Sequence, residues 1–151
     1  MQAFLEEAKR SSRTIANLST AVKNKVLNEM ADALMNHCDF IISHNEKDMM
    51  DARVNNLSES LQDRLLLTGQ RVKDMADAIR QIASQLEPVG RILDGWVTKD
   101  GLNIQKVSIP IGVIGIIYES RPNVTSDTAA LCFKSGNVCV LKGGKEAEHS
   151  N

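Results

Sequence analysis

Residues that bind metals are few and scattered in this sequence. Its three cysteines are Cys38, Cys132 and Cys139, and neither these nor the three histidines form a Cys-x-x-Cys or His-x-x-x-His pattern. Zinc sites need such closely spaced ligands. The sequence therefore predicts no metal site, and it predicts three reduced cysteines that pack as small hydrophobic side chains.

The sequence also lacks an excess of charge of either sign. It carries 18 lysines and arginines against 19 acidic residues, which gives a formal net charge of −1. That balance provides no electrostatic field to attract nucleic acids or anionic lipids. We therefore expect no nucleic-acid partner.

Long apolar runs are missing too. The longest, residues 107–118, contains Ser108 and Pro110 and is shorter than the roughly 18 residues that a membrane span needs. Residues 1–9 carry two glutamates where a signal peptide carries basic residues, and no apolar stretch follows them. These features predict a cytoplasmic protein with no membrane partner.

Residues 1–88 have the pattern of a helical region. Apolar residues recur every three or four positions in two stretches, as on one face of an α-helix. The stripes are Val22, Val26, Leu27, Met30, Ala31, Leu34 and then Val72, Met75, Ala76, Ile79, Ile82, Ala83, Leu86. The first stripe places Lys23 on the polar face, and Ser19 or Thr20 can cap its helix. Ser58 begins a short helix in between, and Pro88 ends the helical region.

Residues 89–109 change to the pattern of a β-hairpin. Two loosely alternating segments, 91–98 and 102–109, flank Lys99-Asp100-Gly101. The Asp-Gly pair tolerates the positive φ of a tight hairpin turn.

Residues 110–151 have the pattern of the start of a parallel α/β domain. Residues 111–117 are apolar throughout, which is typical of a strand buried on both faces. A helix over about 125–134, ended by Gly136, leads to a second buried strand over 138–141. This βαβ unit needs further strands and helices to complete a sheet. The sequence therefore predicts an incomplete α/β fold and the front part of a larger chain.

The first buried strand ends in the corner Tyr118-Glu119-Ser120-Arg121-Pro122-Asn123. Ligands of open α/β sheets gather at the carboxyl ends of strands. Pro122 stiffens this corner and so aims the side chain of Asn123. Asn123 or Thr125 can cap the following helix, which is the commoner role of these residue types. Alternatively, the carboxamide of Asn123 can donate a hydrogen bond to a developing oxyanion.

The second strand ends in Lys142-Gly143-Gly144-Lys145-Glu146. Two glycines let the backbone approach a ligand and the lysines suit phosphate, so a nucleotide site is one interpretation and a solvated turn is the other. The Walker phosphate loop does not fit, because Cys139 and Glu146 occupy positions that need Gly and Ser or Thr. The dinucleotide fingerprint does not fit either, because Gly112 and Gly115 lie within the strand.

Together, these segments resemble the gamma-glutamyl phosphate reductase family, a branch of the aldehyde dehydrogenase superfamily. The resemblance is close over residues 107–151 and looser over residues 8–18 and 45–51. It implies an aldehyde dehydrogenase-like fold, in which a helical N-terminal part and a β-hairpin precede the first βαβ unit of a Rossmann-like dinucleotide-binding domain. It also implies that these residues correspond to the N-terminal third of the family's chain.

The resemblance implies a reaction as well. In this family of NADP-dependent glutamate-5-semialdehyde dehydrogenases, a cysteine thiolate attacks L-glutamyl 5-phosphate, phosphate leaves, and NADPH reduces the thioester to L-glutamate 5-semialdehyde in proline biosynthesis. Asn123 matches the oxyanion-hole asparagine of the superfamily. Lys142 matches the lysine that contacts the adenosine ribose of the cofactor, and Gly143 and Gly144 follow it. Lys145 stands where NAD-preferring relatives have an acid, which favours NADP.

The roles of Glu119 and Arg121 at this corner stay open. Glu119 and Arg121 either orient the acyl phosphate or form an ion pair with each other, and the ion pair is favoured.

The nucleophilic cysteine of the family lies beyond residue 151. Cys132 and Cys139 cannot replace it, because they fall within a helix and a buried strand. We therefore expect these residues alone to be inactive.

The resemblance further implies a homo-oligomer and a contact with glutamate 5-kinase. From the residues alone, two other functions stay open. One is a nucleotide-binding module without chemistry, and the other is an oligomerisation module.

Overall fold

The computed structural model describes residues 2–151. Its first part consists of five helices, α1 (Gln2–Ala16), α2 (Thr20–Asn36), α3 (Cys38–Val54), α4 (Glu59–Leu65) and α5 (Gly69–Ser84). The side-chain oxygens of Ser19, Ser58 and Thr68 accept hydrogen bonds from first-turn backbone N–H groups of α2, α4 and α5. The predicted helix starts at Ser19 and Ser58 are confirmed.

The main hydrophobic core forms where α2 packs against α5. Its buried members from these two helices are Leu27, Ala31, Ala76, Ile79, Ile82 and Ala83. A second cluster joins α3 and α4 to the last residues of the chain through Met49, Ala52, Leu65 and Ala147. The predicted stripe of α5 is confirmed except at Leu86, which lies beyond the end of the helix and is 82% exposed.

The buried face of α2 is rotated relative to the predicted stripe. Its buried residues are Lys23, Leu27 and Ala31, whereas Val22 is largely exposed. The prediction that Lys23 lies on the polar face is wrong. The Nζ atom of Lys23 donates hydrogen bonds to Oε1 of Glu87 at 2.6 Å and to the backbone oxygen of Lys134 at 3.3 Å. A buried ammonium group is tolerated because these partners compensate its lost hydration.

A β-hairpin follows the helices, as predicted. Strands β1 (Ile92–Val97) and β2 (Asn103–Val107) pair in antiparallel fashion, with Trp96 opposite Ile104. Gly101 has a φ of 84° in the connecting turn, and its backbone N–H donates to the oxygen of Thr98 at 3.0 Å. Glycine is required there because the left-handed conformation is unfavourable for residues with a Cβ atom.

The last part of the chain is a βαβ unit, which confirms the predicted α/β class. It contains β3 (Val113–Ile117), α6 (Pro122–Lys134) and β4 (Val138–Lys142), followed by a 3₁₀ turn over Lys145–Ala147. The two strands are parallel, and Ile117 lies opposite Lys142 at their carboxyl ends. Both strand-end loops therefore emerge side by side.

The end of α6 has the predicted glycine cap. Gly136 has a φ of 74°, its N–H donates to Phe133 at 3.0 Å, and the N–H of Asn137 donates to Cys132 at 2.8 Å. These two bonds form a Schellman motif. A Cβ atom at Gly136 would also lie 2.9 Å from Cγ of Pro110, so this glycine is required for space as well.

The prediction that β3 is buried on both faces is wrong for the residues that the structure describes. Every residue of β3 is half-buried or exposed, and Ile117 is 80% exposed. The reason is that β3 pairs only with β4 within residues 2–151, so its outer edge is open. Cys139 on β4 is half-buried for the same reason.

The elements follow one another in the predicted order, and the exact division into parts at residues 88 and 109 stays a prediction. No helix within residues 2–151 combines the length and the apolar character needed to cross a membrane.

Candidate functional site

Asn123 lies in the first turn of α6, at the carboxyl end of β3. Arg121 is the N-cap residue and makes no side-chain capping bond, and Pro122 occupies the first helical position. Proline suits that position because its fixed φ is helical and its missing N–H would have no partner there. The interpretation of Asn123 or Thr125 as a helix cap is therefore wrong, because both lie inside the helix.

The side chain of Asn123 lines a cavity of about 400 Å³ between α6 and the α4–α5 region. Both walls of this cavity carry charge, and its polar lining residues besides Asn123 are Asp63, Arg64, Arg71, Asp74, Arg121 and Asp127. Asn123 is half-buried. Asn123 is thus partly accessible from this cavity.

Asp127 holds the carboxamide of Asn123 from the next turn of α6. Nδ2 of Asn123 donates a hydrogen bond to Oδ2 of Asp127 at 3.2 Å. Burial raises the pKa of Asp127, and the bond from Asn123 opposes that rise. Because the amide nitrogen carries two hydrogens, one N–H group stays available to a ligand. The i, i+4 spacing of these residues is the sequence signal that could have identified Asp127.

The favoured ion pair between Glu119 and Arg121 is wrong. No salt bridge joins these two residues in the part of the chain that the structure describes. Arg121 lines the cavity that contains Asn123, whereas Glu119 lines a different one.

That second cavity, of about 500 Å³, brings together all four predicted cofactor-binding residues, Lys142, Gly143, Gly144 and Lys145. Residues 117–120 from the end of β3 and Leu57 and Leu61 from the helical part complete its lining with Glu146. The side chains of Lys142 and Lys145 are exposed. The two predicted groups of site residues therefore lie on adjacent strand-end loops, each on its own cavity.

The space beside the two glycines is filled by side chains of this chain. A Cβ atom at Gly144 would collide with the carboxylate of Glu146, and one at Gly143 would collide with the side-chain amide of Asn151. Neither glycine has a positive φ. In this structure the glycines make room for Glu146 and Asn151, a role that the sequence pattern does not indicate.

Glu146 connects the two strand-end loops. Its Oε1 atom accepts hydrogen bonds from the backbone N–H and from the hydroxyl of Ser120, both at 2.7 Å. We call this pair of bonds the Ser120–Glu146 bridge. The bond from the Ser120 hydroxyl is the main reason that the pKa of Glu146 is lowered. Ser120 is 3% exposed and has a φ of 35°.

A second set of hydrogen bonds supports the same loops. The hydroxyl of Thr125 lies 2.5 Å from that of Tyr118, and it donates to Oδ1 of Asn151 at 2.6 Å. Thr125 thus ties the first turn of α6 to the end of β3 and to the segment that follows β4.

The three cysteines are free thiols, as predicted. Burial is the main cause of the raised pKa of Cys132 in α6. A raised pKa is the opposite of what a nucleophilic thiol needs. Within residues 2–151, no group of three or more metal-binding side chains is placed to hold an ion.

Comparison with known proteins shows what this chain is similar to. No profile of a known protein family matches the chain. The chain is 80% identical over all 151 residues to gamma-glutamyl phosphate reductase of Aliarcobacter butzleri, and it spans 37% of the length of that relative. The crystal structure of gamma-glutamyl phosphate reductase from Thermotoga maritima matches with a TM-score of 0.93 and 41% identity, over 97% of this chain and 35% of that one.

The wider fold is shared with more distant proteins. A Bacillus subtilis structure described as an aldehyde dehydrogenase matches with a TM-score of 0.68 and 19% identity, over 98% of this chain and 31% of that one. This confirms the aldehyde dehydrogenase-like fold that the sequence predicts. Over its whole length the chain is therefore similar to the N-terminal third of the gamma-glutamyl phosphate reductases.

Proposed function

We propose that the complete protein reduces L-glutamyl 5-phosphate to L-glutamate 5-semialdehyde with NADPH, and that this chain supplies an oxyanion donor and part of the cofactor site. The observation that carries the proposal is the position of Asn123. Its carboxamide lies at the carboxyl end of β3, lines a cavity, and has one N–H group left after bonding to Asp127. Strand ends of this kind are where α/β folds bind ligands.

The role of Asn123 follows from the charge that the reaction creates. When a thiolate adds to the acyl phosphate, the carbonyl oxygen becomes an oxyanion, and a preoriented donor in a partly enclosed site stabilises it more than water can. The carboxamide keeps its orientation because Asp127 holds it and because Pro122 is buried at the start of α6. In this proposal the nucleophilic cysteine belongs to polypeptide outside these 151 residues.

Lys142 and Lys145 are our candidates for binding the cofactor, which supplies the hydride. Both lie on the cavity next to the one that contains Asn123. These two lysines fit a dinucleotide cofactor, because their exposed ammonium groups suit its phosphates and ribose. Lys145 favours the 2′-phosphate of NADP over the free hydroxyl of NAD by its charge.

The proposal is tested by replacing Asn123 with alanine in the complete reductase. We expect kcat to fall by roughly 10²–10³, with the KM for NADPH unchanged, because the lost bond forms only as the oxyanion develops. Asn28→Ala is a matched control, since Asn28 is an exposed asparagine that bonds only within α2. An Asn123→Ala enzyme with the kcat of the control would show that the carboxamide takes no part in the reaction.

The family resemblance also supports three further parts of the proposal. These are a cytoplasmic location, a homo-oligomer and a contact with glutamate 5-kinase. Light scattering of the complete protein, with and without the kinase, tests the two assemblies.

A further inference from the structure

The Ser120–Glu146 bridge is a direct link between the loop that leads to Asn123 and the loop that carries the candidate cofactor residues. We propose that Glu146 is a positioning residue: it fixes Ser120 and thereby the carboxamide of Asn123, and Gly144 is glycine in order to admit the Glu146 carboxylate. The inference rests on the proposed role of Asn123 as the oxyanion donor. It adds a residue from the other loop to that site.

The backbone of Ser120 needs an external partner. A φ of 35° lies in the left-handed region, which costs a residue with a Cβ atom on the order of 1–3 kcal/mol. Such a conformation persists only when its surroundings hold it. Glu146 supplies that hold, because one carboxylate oxygen accepts both the N–H and the O–H of Ser120 at 2.7 Å.

The conformation of Ser120 is passed on to Asn123 through a stiff segment. Only Arg121 and Pro122 separate the two residues, Pro122 is buried, and its ring fixes φ. Asn123 is then part of a regular helix. A rotation at Ser120 therefore changes the start of α6 as a unit, and the carboxamide moves with it.

Glu146 is itself fixed from the helical part of the chain. The next residue, Ala147, is 1% exposed and packs in the cluster with Met49. The buried carboxylate of Asp48 accepts hydrogen bonds from the N–H groups of His149 at 3.0 Å and Ser150 at 2.8 Å. The segment around Glu146 is thus held on α3, which makes it a firm support for Ser120.

Position 144 is a glycine because a larger side chain lacks space there, and not because the backbone conformation requires it. Its φ of −70° and ψ of 157° are accessible to any residue. The three atoms nearest to a Cβ atom placed there all belong to the carboxylate group of Glu146. The rival explanation is that Gly144 lets the cofactor approach the backbone, and the two explanations predict different kinetics.

The positioning role is tested by a double-mutant cycle in the complete reductase. We expect Glu146→Ala to lower kcat by roughly 10- to 100-fold, less than the loss of the donor itself, because a misplaced donor still binds weakly. Asn123→Ala should then cost at least tenfold less in the Glu146→Ala background than in the wild type, since coupled residues are not additive. Glu146→Gln should restore most of kcat, because its amide oxygen can accept both bonds from Ser120.

Matched variants separate this role from a general effect on folding. Glu148→Ala, an exposed glutamate two positions further on, should leave kcat unchanged. If Glu146→Ala does not fold, Ser120→Ala replaces it in the cycle, since that variant removes only the hydroxyl donor. Thermal melts of each variant accompany the kinetics.

Gly144→Ala distinguishes the two explanations of the glycine. If Gly144 admits Glu146, then Gly144→Ala lowers kcat in the wild type and has little effect in the Glu146→Ala background. An equal increase in the KM for NADPH in both backgrounds would overturn our explanation and favour the cofactor.

The outcomes also separate this inference from the proposed function. A loss of roughly 10²–10³ on Asn123→Ala in both backgrounds would overturn the positioning role and leave the oxyanion role of Asn123 intact. An unchanged kcat in Asn123→Ala would overturn both.

Discussion

Removing Glu87 will destabilise the protein more than removing Glu87 and Lys23 together. The side chain of Lys23 is 1% exposed, and its ammonium nitrogen lies 2.6 Å from the Glu87 carboxylate. In a Glu87→Leu variant, the only other partner of this ammonium within residues 2–151 is the backbone oxygen of Lys134 at 3.3 Å. Lys134 is itself buried, and its ammonium group donates to the uncharged side-chain oxygen of Asn24 and backbone oxygen of Ala83, so the variant would leave two buried cations without the Glu87 carboxylate.

The size of the effect follows from the geometry. At an effective dielectric constant of about 20, charges at this separation attract by roughly 6 kcal/mol, and desolvation offsets part of this. Breaking one side of a buried pair costs about 3–5 kcal/mol in total. With an unfolding entropy of roughly 2.1 cal/mol/K per residue, and with this chain spanning 37% of its relative's length, the complete reductase loses about 1 °C in Tm per kcal/mol, so Glu87→Leu should lower Tm by roughly 3–6 °C.

The assay is thermal unfolding of the complete reductase at pH 7, followed by circular dichroism, for Glu87→Leu, Lys23→Met and the double variant. We expect the double variant to recover at least half of the Tm lost in Glu87→Leu, because apolar side chains of similar volume replace a buried pair at little cost. A double variant as unstable as Glu87→Leu, or more so, would refute the reasoning.

The dependence on pH provides a further check. Burial is the main cause of the lowered pKa of Lys134, while Glu87 raises it and Lys23 lowers it. Between that lowered value and 10.5 the unfolded chain binds more protons than the folded one, so stability rises with pH in this interval. Because Glu87 raises the pKa of Lys134, the Glu87→Leu variant has a lower Lys134 pKa, and the pH interval begins at a lower pH. Its deficit relative to the wild type should therefore shrink as pH is raised towards 10.5.

Three other variants test the cofactor loop and the end of α6. Lys142→Ala should weaken NADPH binding in a fluorescence titration by roughly tenfold or more, as expected for a lost bond to a charged group. Lys25→Ala, on an exposed face of α2, should not weaken it. Equal binding curves for the two variants would show that Lys142 does not belong to the site. Lys145→Glu should shift kcat/KM from NADPH towards NADH, and an unchanged ratio would contradict the proposed preference for NADP. Gly136→Ala should lower Tm, because φ is 74° and Cβ would press on Pro110, and a Tm equal to the wild type would show that the loop relaxes freely.

The α/β class and the order of the elements could be predicted because each depends on local patterns. The stripe of α5 and the glycine cap at Gly136 are properties of contiguous residues, and the structure confirms them. Lys23 could not be placed correctly in the same way, since its partner Glu87 lies 64 residues away. Periodicity measures only which residues share a face, not which distant residue meets that face.

The candidate site was predicted in part for the same reason. That Lys142 and Gly144 would share one strand-end loop followed from the strand pattern, and the structure places them on one cavity. The bond between Ser120 and Glu146 could not be predicted, because it joins residues 26 positions apart. The positive φ of Ser120 could not be predicted either, because only a glycine would have indicated it from the sequence. The residue type of Asn123 fits a capping role as well as an oxyanion role, whereas in the structure the helix begins at Pro122 and the cap is Arg121.

The open edges of β3 and β4 affect how this polypeptide behaves when it is produced alone. Within residues 2–151 each strand has hydrogen-bonding groups along one side with no strand beside them, next to exposed isoleucines such as Ile117. Unprotected rows of this kind recruit strands from neighbouring molecules. We therefore expect preparations restricted to these residues to self-associate through these edges.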